Sequence, residues 1–174
     1  MELNQFIIKE LEDQSCEVVF YVPGGAAFHL IDAISKSSKL RLVPTFHEQA
    51  AIIAAEAYYK SCGKIGIVLV TAGPGLSNIS TGLLSCYVDR IPVIILSGQA
   101  QSKYLKQKEL RIYGPQAISA SMLYENYCDV LEVEAGTQAE ELKNFISTSF
   151  CHPFGPLLIQ IPLDLQKNNL RLLS

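Results

Sequence analysis

Residues 63–78 read GKIGIVLVTAGPGLSN. The run IGIVLVT, 65–71, is apolar until its last residue, with no alternation of polar and apolar positions. Such a run reads as a strand covered on both faces, not as one with a wet side. It stops at Ala72-Gly73-Pro74-Gly75, and residues 76–88 read as a helix. Strand, glycine turn and helix in this order make one unit of an α/β sheet.

The unit recurs on either side. Upstream, residues 2–14 read as a helix with Leu3, Phe6, Ile7 and Leu11 on one face. EVVFYV is a strand that stops at Pro23-Gly24-Gly25; residues 26–36 are a helix, LRLV a strand, and 47–62 a helix ended by Gly63. Downstream, PVIILS is a strand, and a polar stretch runs from Gly98 to Pro115. A short helix, the strand CDVLEV, a helix over 137–150 and the strand PLLIQI follow. The expected fold is α/β: a three-layer, doubly wound sheet of about six mainly parallel strands with helices on both faces. Residues 1–165 form one domain, and the polar tail 166–174 reads as a linker or a truncated end.

Composition narrows the function. The chain has 174 residues, of which 49% are apolar and 18% charged, with a net charge of −3 and a pI near 5.6. That balance provides no basic surface for nucleic acid. Apolar runs such as VIIL are too short to span a bilayer, and the acidic, amphipathic N-terminus is not a signal peptide. Five cysteines (16, 62, 86, 128, 151) stand singly, without metal-ligand spacing. They read as reduced thiols of a cytoplasmic protein, with Cys16, Cys62 and Cys86 in apolar settings.

In open α/β sheets, ligands bind beyond the carboxyl ends of the strands. Both glycine turns, the polar stretch after VIILS, and His47-Glu48 after LRLV all fall on that edge. Glu48 is the one carboxylate at the mouth of a helix otherwise rich in alanine, isoleucine and tyrosine. Thr45 and Glu48 fit a capping box, with Thr45 as N-cap and Glu48 at the third helical position. The rest of that helix has almost no polar face, so it reads as buried. Desolvation disfavours the charged form of an acid there, while the helix dipole favours it. That balance suits a group that exchanges protons.

The two turns allow close approach of a ligand to the backbone, and helix N-termini there offer free N–H groups. Neither is a G-x-x-x-x-G-K-[ST] loop, and Asn78 replaces the third glycine of a dinucleotide fingerprint. A nucleotide triphosphatase or an NAD enzyme is therefore not the reading.

YVPGG, HEQAA, GKIGIVLVTAGPGLSN, TGLLSCYVDRIPVIILSGQ, YGPQ and GPLLIQIPLDLQ occur in this order along nearly the whole chain. Together they resemble the N-terminal pyrimidine-binding domain of thiamine diphosphate enzymes, most closely acetolactate synthase. The resemblance implies that Glu48 hydrogen-bonds a ring nitrogen of the cofactor's aminopyrimidine and so helps to remove the thiazolium C2 proton. It implies that Val22, Pro23, Gly24 and Gly25 lie against the pyrimidine, that Thr71, Gly73, Pro74 and Asn78 line the same pocket, and that Gln116 stands near the reacting carbons. The implied substrate is a 2-oxo acid. The implied partner is the diphosphate-binding domain of a second subunit, in a homodimer or tetramer.

The family's Phe-Gln-Glu corresponds to Pro115-Gln116-Ala117 here, and a common lysine corresponds to Tyr124. These departures bear on the substrate and on acetolactate formation more than on cofactor binding. Family members hold the diphosphate and Mg2+ through a Gly-Asp-Gly stretch in another domain, which this sequence lacks. The chain is thus expected to hold only the pyrimidine half of the cofactor and to be inactive alone. It reads as a piece of a longer enzyme; a subunit of a split decarboxylase and a non-catalytic scaffold are the alternatives. Flavin binding by the longer enzyme stays open. The basic stretch 101–114, with Lys103, Lys106, Lys108 and Arg111, reads either as a lid over a carboxylate substrate or as a solvated loop. His47 is placed to modulate Glu48. His29 and His152 read as structural, and Tyr58 and Tyr59 as core or subunit contacts.

Overall fold

Alternate residues of the central strand serve two cores. Ile67 and Leu69 enter one hydrophobic cluster and Val68 and Val70 the other. This is the period-two signature of a strand, with both faces apolar because both are covered. The computed structural model describes residues 1–105, 116–151 and 155–170. Lys106, Lys108, Arg111, Pro115 and His152 lie outside the described residues.

The strands are β1 (Val18–Tyr21), β2 (Arg41–Pro44), β3 (Gly66–Val70), β4 (Val93–Gln99), β5 (Asp129–Glu132) and β6 (Leu157–Pro162). The first helices are α1 (Leu3–Asp13), α2 (Phe28–Ser35) and α3 (Glu48–Cys62), with a 3-10 turn at Gly25–Ala27 before α2. Then come α4 (Pro74–Ser77), α5 (Ser80–Val88), α6 (Ser102–Leu105), α7 (Ala120–Tyr124) and α8 (Ala139–Cys151). The six strands form one sheet in the order β2-β1-β3-β4-β6-β5, and every pairing is parallel. Leu3, Ile7 and Leu11 of α1, Leu30 and Ile34 of α2, and Leu142 and Ile146 of α8 pack on one face. Ala51, Ile52 and Ala55 of α3, Leu83 and Cys86 of α5, and Ala120 and Tyr124 of α7 pack on the other. The expected three-layer α/β fold is the fold observed.

Local differences have physical causes. The predicted helix over 76–88 is two helices, because Pro74 starts a short one that ends at Asn78 before α5 begins. The capping box is not formed. His47 is the N-cap of α3, with extended backbone, and its Nδ1 accepts from the Gln49 N–H at 3.1 Å. Glu48 is therefore the first helical residue, and Thr45 Oγ1 instead donates to the carbonyl of His47 at 3.1 Å. The far end of α3 is as expected: Gly63, at φ +71°, closes it in the left-handed conformation.

Nor is α3 buried all round. Its outer side exposes Ala50, Ile53 and Ala57, and the neighbouring α5 exposes Leu84 and Val88. Glu56, nearly buried between the two helices, accepts from Lys60 Nζ at 2.7 Å and Ser85 Oγ at 2.9 Å. Tyr58 is half-buried and packs edge-to-face on Phe20. Cys16 and Cys86 are buried and Cys128 is half-buried; desolvation pushes all three thiols up to about 12. Cys62 is exposed, contrary to its apolar reading, because it lies at the solvent-facing end of α3. No helix among the described residues is long and apolar enough to cross a membrane.

The cap assignment has a direct test. His47→Ala should cost about 1 kcal/mol in urea unfolding. Thr45→Ala should cost clearly less, the reverse of what a Thr45 cap predicts.

Candidate functional site

The sheet order reverses direction between β1 and β3: the chain leaves β1 towards β2 at one edge, then returns to β3 on the other side of β1. A crevice at the carboxyl ends of the strands forms at such a switch point. The turn after β1 (22–25) and the turn after β3 (71–75) are its two walls. The Val22 N–H donates to the carbonyl of Leu69 at 3.3 Å, which ties the first turn to the end of β3. The two walls meet at Thr71. A Cβ at Gly24 would lie 2.4 Å from Thr71 Cβ, so only glycine fits there. Thr71 Oγ1 accepts from the Ala26 N–H at 3.3 Å.

The second turn is equally tight. Gly73 has φ +60°, and a Cβ there would lie 2.4 Å from the carbonyl oxygen of Gln116. Gln116 itself sits at φ 64°, an uncommon conformation for a residue other than glycine. Its backbone is thus packed on Gly73, while the residue as a whole is exposed. Pro74 opens α4, where its missing N–H costs nothing. At Gly75 a Cβ would stand 2.7 Å from Thr71 Cγ2 and 3.2 Å from Glu48 Oε1.

Glu48 enters this crevice from the start of α3 and is 8% exposed. Its Oε2 accepts from Asn78 Nδ2 at 3.0 Å. Among the described residues no donor reaches Oε1, which lies over Gly75. One carboxyl oxygen is held and the other is available. A Cβ on residue 75 would clash with Thr71 Cγ2, so the Gly75 backbone stands directly against Thr71 beside that oxygen. The candidate slot for a flat heteroaromatic ring is the edge where Oε1 lies over Gly75, an oxygen able to accept from a nitrogen at the ring's rim.

The residues expected at the site therefore come together as two connected groups. Glu48, Thr71, Gly75 and Asn78 are in mutual reach, and Gly24 joins them through Thr71. Val22, Pro23 and Gly25 complete the first turn, and Gln116 is attached through its backbone to Gly73. His47 touches α3 as a cap, not the Glu48 carboxyl.

Sequence reading missed the amides beneath the loops. Gln99 Nε2 donates to the carbonyl of Ile118 at 2.6 Å, and Gln160 Nε2 to the same oxygen at 3.1 Å. Their Oε1 atoms accept from the N–H groups of Ala100 and Ala120. Both side chains are buried, and together they fix the segment that follows Gln116. The signal was there: each is a polar residue inside an otherwise apolar strand, VIILSGQ or LLIQIP. Tyr124 also has a visible role. Its hydroxyl donates to the carbonyl of Leu76 at 2.9 Å and lies 2.8 Å from Ser80 Oγ, tying α7 to the turn that carries Asn78. Burial pushes this phenol up. Among the described residues no cluster of three or more His, Cys, Asp or Glu side chains is placed to hold a metal ion.

Residues 1–119 match the family model described as thiamine pyrophosphate enzyme, N-terminal TPP binding domain. The chloroplastic acetolactate synthase of Arabidopsis thaliana is 34% identical over 161 residues, which is 92% of this chain and 24% of that protein. The acetolactate synthase large subunit of Haemophilus influenzae is 32% identical over 167 residues, 96% of this chain and 29% of that one. The Lactococcus lactis large subunit is 34% identical over 124 residues. The chain thus spans about a quarter of the length of such relatives. With Glu48 in its crevice and a family model covering 1–119, the chain belongs to the thiamine pyrophosphate enzyme family as an acetolactate synthase-like N-terminal TPP-binding domain.

Proposed function

We propose that this chain supplies the pyrimidine half of the cofactor site in a thiamine diphosphate-dependent 2-oxo acid decarboxylase or carboligase, in the manner of acetolactate synthase. The carrying observation is the divided carboxyl of Glu48, with Oε2 held by Asn78 and Oε1 presented over Gly75. Val22, Pro23, Gly24 and Gly25 would cover one side of the pyrimidine; Thr71, Gly73, Pro74 and Asn78 would line the other. When bound, the cofactor supplies an electron sink for cleavage next to a carbonyl.

The chain's own residues do the rest. Asn78 orients Glu48 so that one oxygen faces the ring nitrogen. Burial keeps water from competing for that hydrogen bond. Glu48 then shares or passes a proton at Oε1, as a positioned general acid or base. Gln116, on a backbone braced by Gly73 and by the Ile118 clamp, stands where a reacting 2-oxo acid would meet the rim.

The diphosphate and Mg2+ require hard oxygen ligands, which we assign to a diphosphate-binding domain of a second subunit. The apolar outer side of α3 and α5, with Val88 75% exposed, supports a contact with such a partner. The domain itself we place at 1–165, with the residues from Gln166 to Leu170 folded back onto α1.

Two measurements test this reading. Glu48→Gln in the full-length protein should lower 2-oxo acid decarboxylation by at least about 100-fold with little change in thermal stability. Retained activity with a loss of about 1 kcal/mol would reduce Glu48 to a helix-terminus residue. Calorimetric titration of residues 1–174 alone with thiamine diphosphate and Mg2+ should show weak binding or none. Tight, Mg2+-dependent binding would contradict the half-site.

A further inference from the structure

Gln166 lies beyond β6, in the segment that sequence reading assigns to a linker, yet it is fully buried. Its backbone carbonyl accepts from the Asn4 N–H at the start of α1. Its side-chain Nε2 donates to the carbonyl of Ala26 at 2.6 Å and to that of Ile161 at 3.2 Å. Ala26 belongs to the 3-10 turn that follows Pro23-Gly24-Gly25. The amide therefore spans from the end of the sheet to the first wall of the crevice.

That turn is held from three sides. A Cβ at Gly98 would lie 2.2 Å from the Ala26 carbonyl oxygen, so β4 sets its floor. The Ala26 N–H donates to Thr71 Oγ1, and Gly24 is packed on the same threonine. Thr71 in turn meets the space at Gly75 beside Glu48 Oε1. Contacts run without a break from Gln166 through Ala26 and Thr71 to the slot.

The amide is not an economical way to fill the core. Among the described residues the buried Gln166 Oε1 has no hydrogen-bond partner, which costs stability. An apolar side chain of equal length would fill the same volume and remove that orphan, at the cost of the donor to the Ala26 and Ile161 carbonyls. What the amide provides is a shared donor that ties the Ala26 carbonyl, at the shorter distance, to that of Ile161 at the end of β6.

We infer that Gln166 is a positioning residue for the cofactor turn: its Nε2 holds the Ala26 carbonyl, and so fixes how closely Gly24 stands to Thr71 beside Glu48. This rests on the thiamine diphosphate reading of that slot.

The test uses Gln166→Met and Gln166→Leu in the complete enzyme. It combines thermal unfolding, amide hydrogen exchange, and calorimetric titration with thiamine diphosphate and Mg2+. The unfolding midpoint should change little, because the orphaned Oε1 goes while the Ala26 and Ile161 carbonyls lose a donor. Exchange at the Ala26 and Ala27 amides should quicken, with Ile95 and Ile159 in the strands unchanged. Cofactor affinity should fall about five- to ten-fold, the worth of one hydrogen bond. Unchanged exchange at Ala26 and Ala27 overturns the clamp. Faster exchange with unchanged affinity overturns the positioning role. Failure of both variants to fold makes Gln166 a core support and overturns it too. If the unsubstituted enzyme binds no thiamine diphosphate, the underlying reading falls, and the positioning role with it.

Discussion

Everything at the carboxyl edge of the sheet depends on how closely three backbone segments can crowd around Thr71. A side chain at Gly24 would collide with its Cβ, and one at Gly75 with its Cγ2. Those two glycines let the turns after β1 and β3 converge at the switch point. The convergence sets both turns directly against Thr71 beside Glu48 Oε1. Glycine is costly in a folded chain because it is so free in the unfolded one. Here that cost is offset by an approach no other residue permits.

Glu48 gains its meaning from this crowding. A carboxylate at the start of an exposed helix is an ordinary stabilising feature. Glu48 instead starts a helix laid against β3, with Asn78 on one oxygen and a glycine floor under the other. Asn78 reaches it only because Pro74 starts a separate short helix, which brings residue 78 to the crevice before α5 departs. The same two helices, α3 and α5, carry exposed apolar residues on their outer side. Site and outer face are thus built on shared elements.

The parts legible in the sequence were those with local causes. The six strands could be read because continuous apolar runs such as IVLV and VIIL have few alternatives when glycine turns bound them. The candidate site residues could be placed on one edge because they follow strands in an α/β order. What stayed hidden depends on geometry between distant segments. The Thr45 and Glu48 spacing suggested one cap, but the extended backbone of His47 moved the helix start by enough to replace it. The apolar composition of α3 suggested burial on all sides, whereas Ile53 faces outward. Gln99, Gln160 and Gln166 bond carbonyls 19, 42 and 140 residues away, and no local pattern announces such partners.

The most direct test is the protonation state of the ring nitrogen that Glu48 would meet. Thiamine diphosphate carrying 15N in its aminopyrimidine ring, bound to the complete enzyme, can be followed by nitrogen NMR. The account predicts that one ring nitrogen shifts on binding, towards the hydrogen-bonded or protonated form, and that Glu48→Gln removes most of this shift while the cofactor stays bound. An identical nitrogen spectrum in both bound proteins would contradict it.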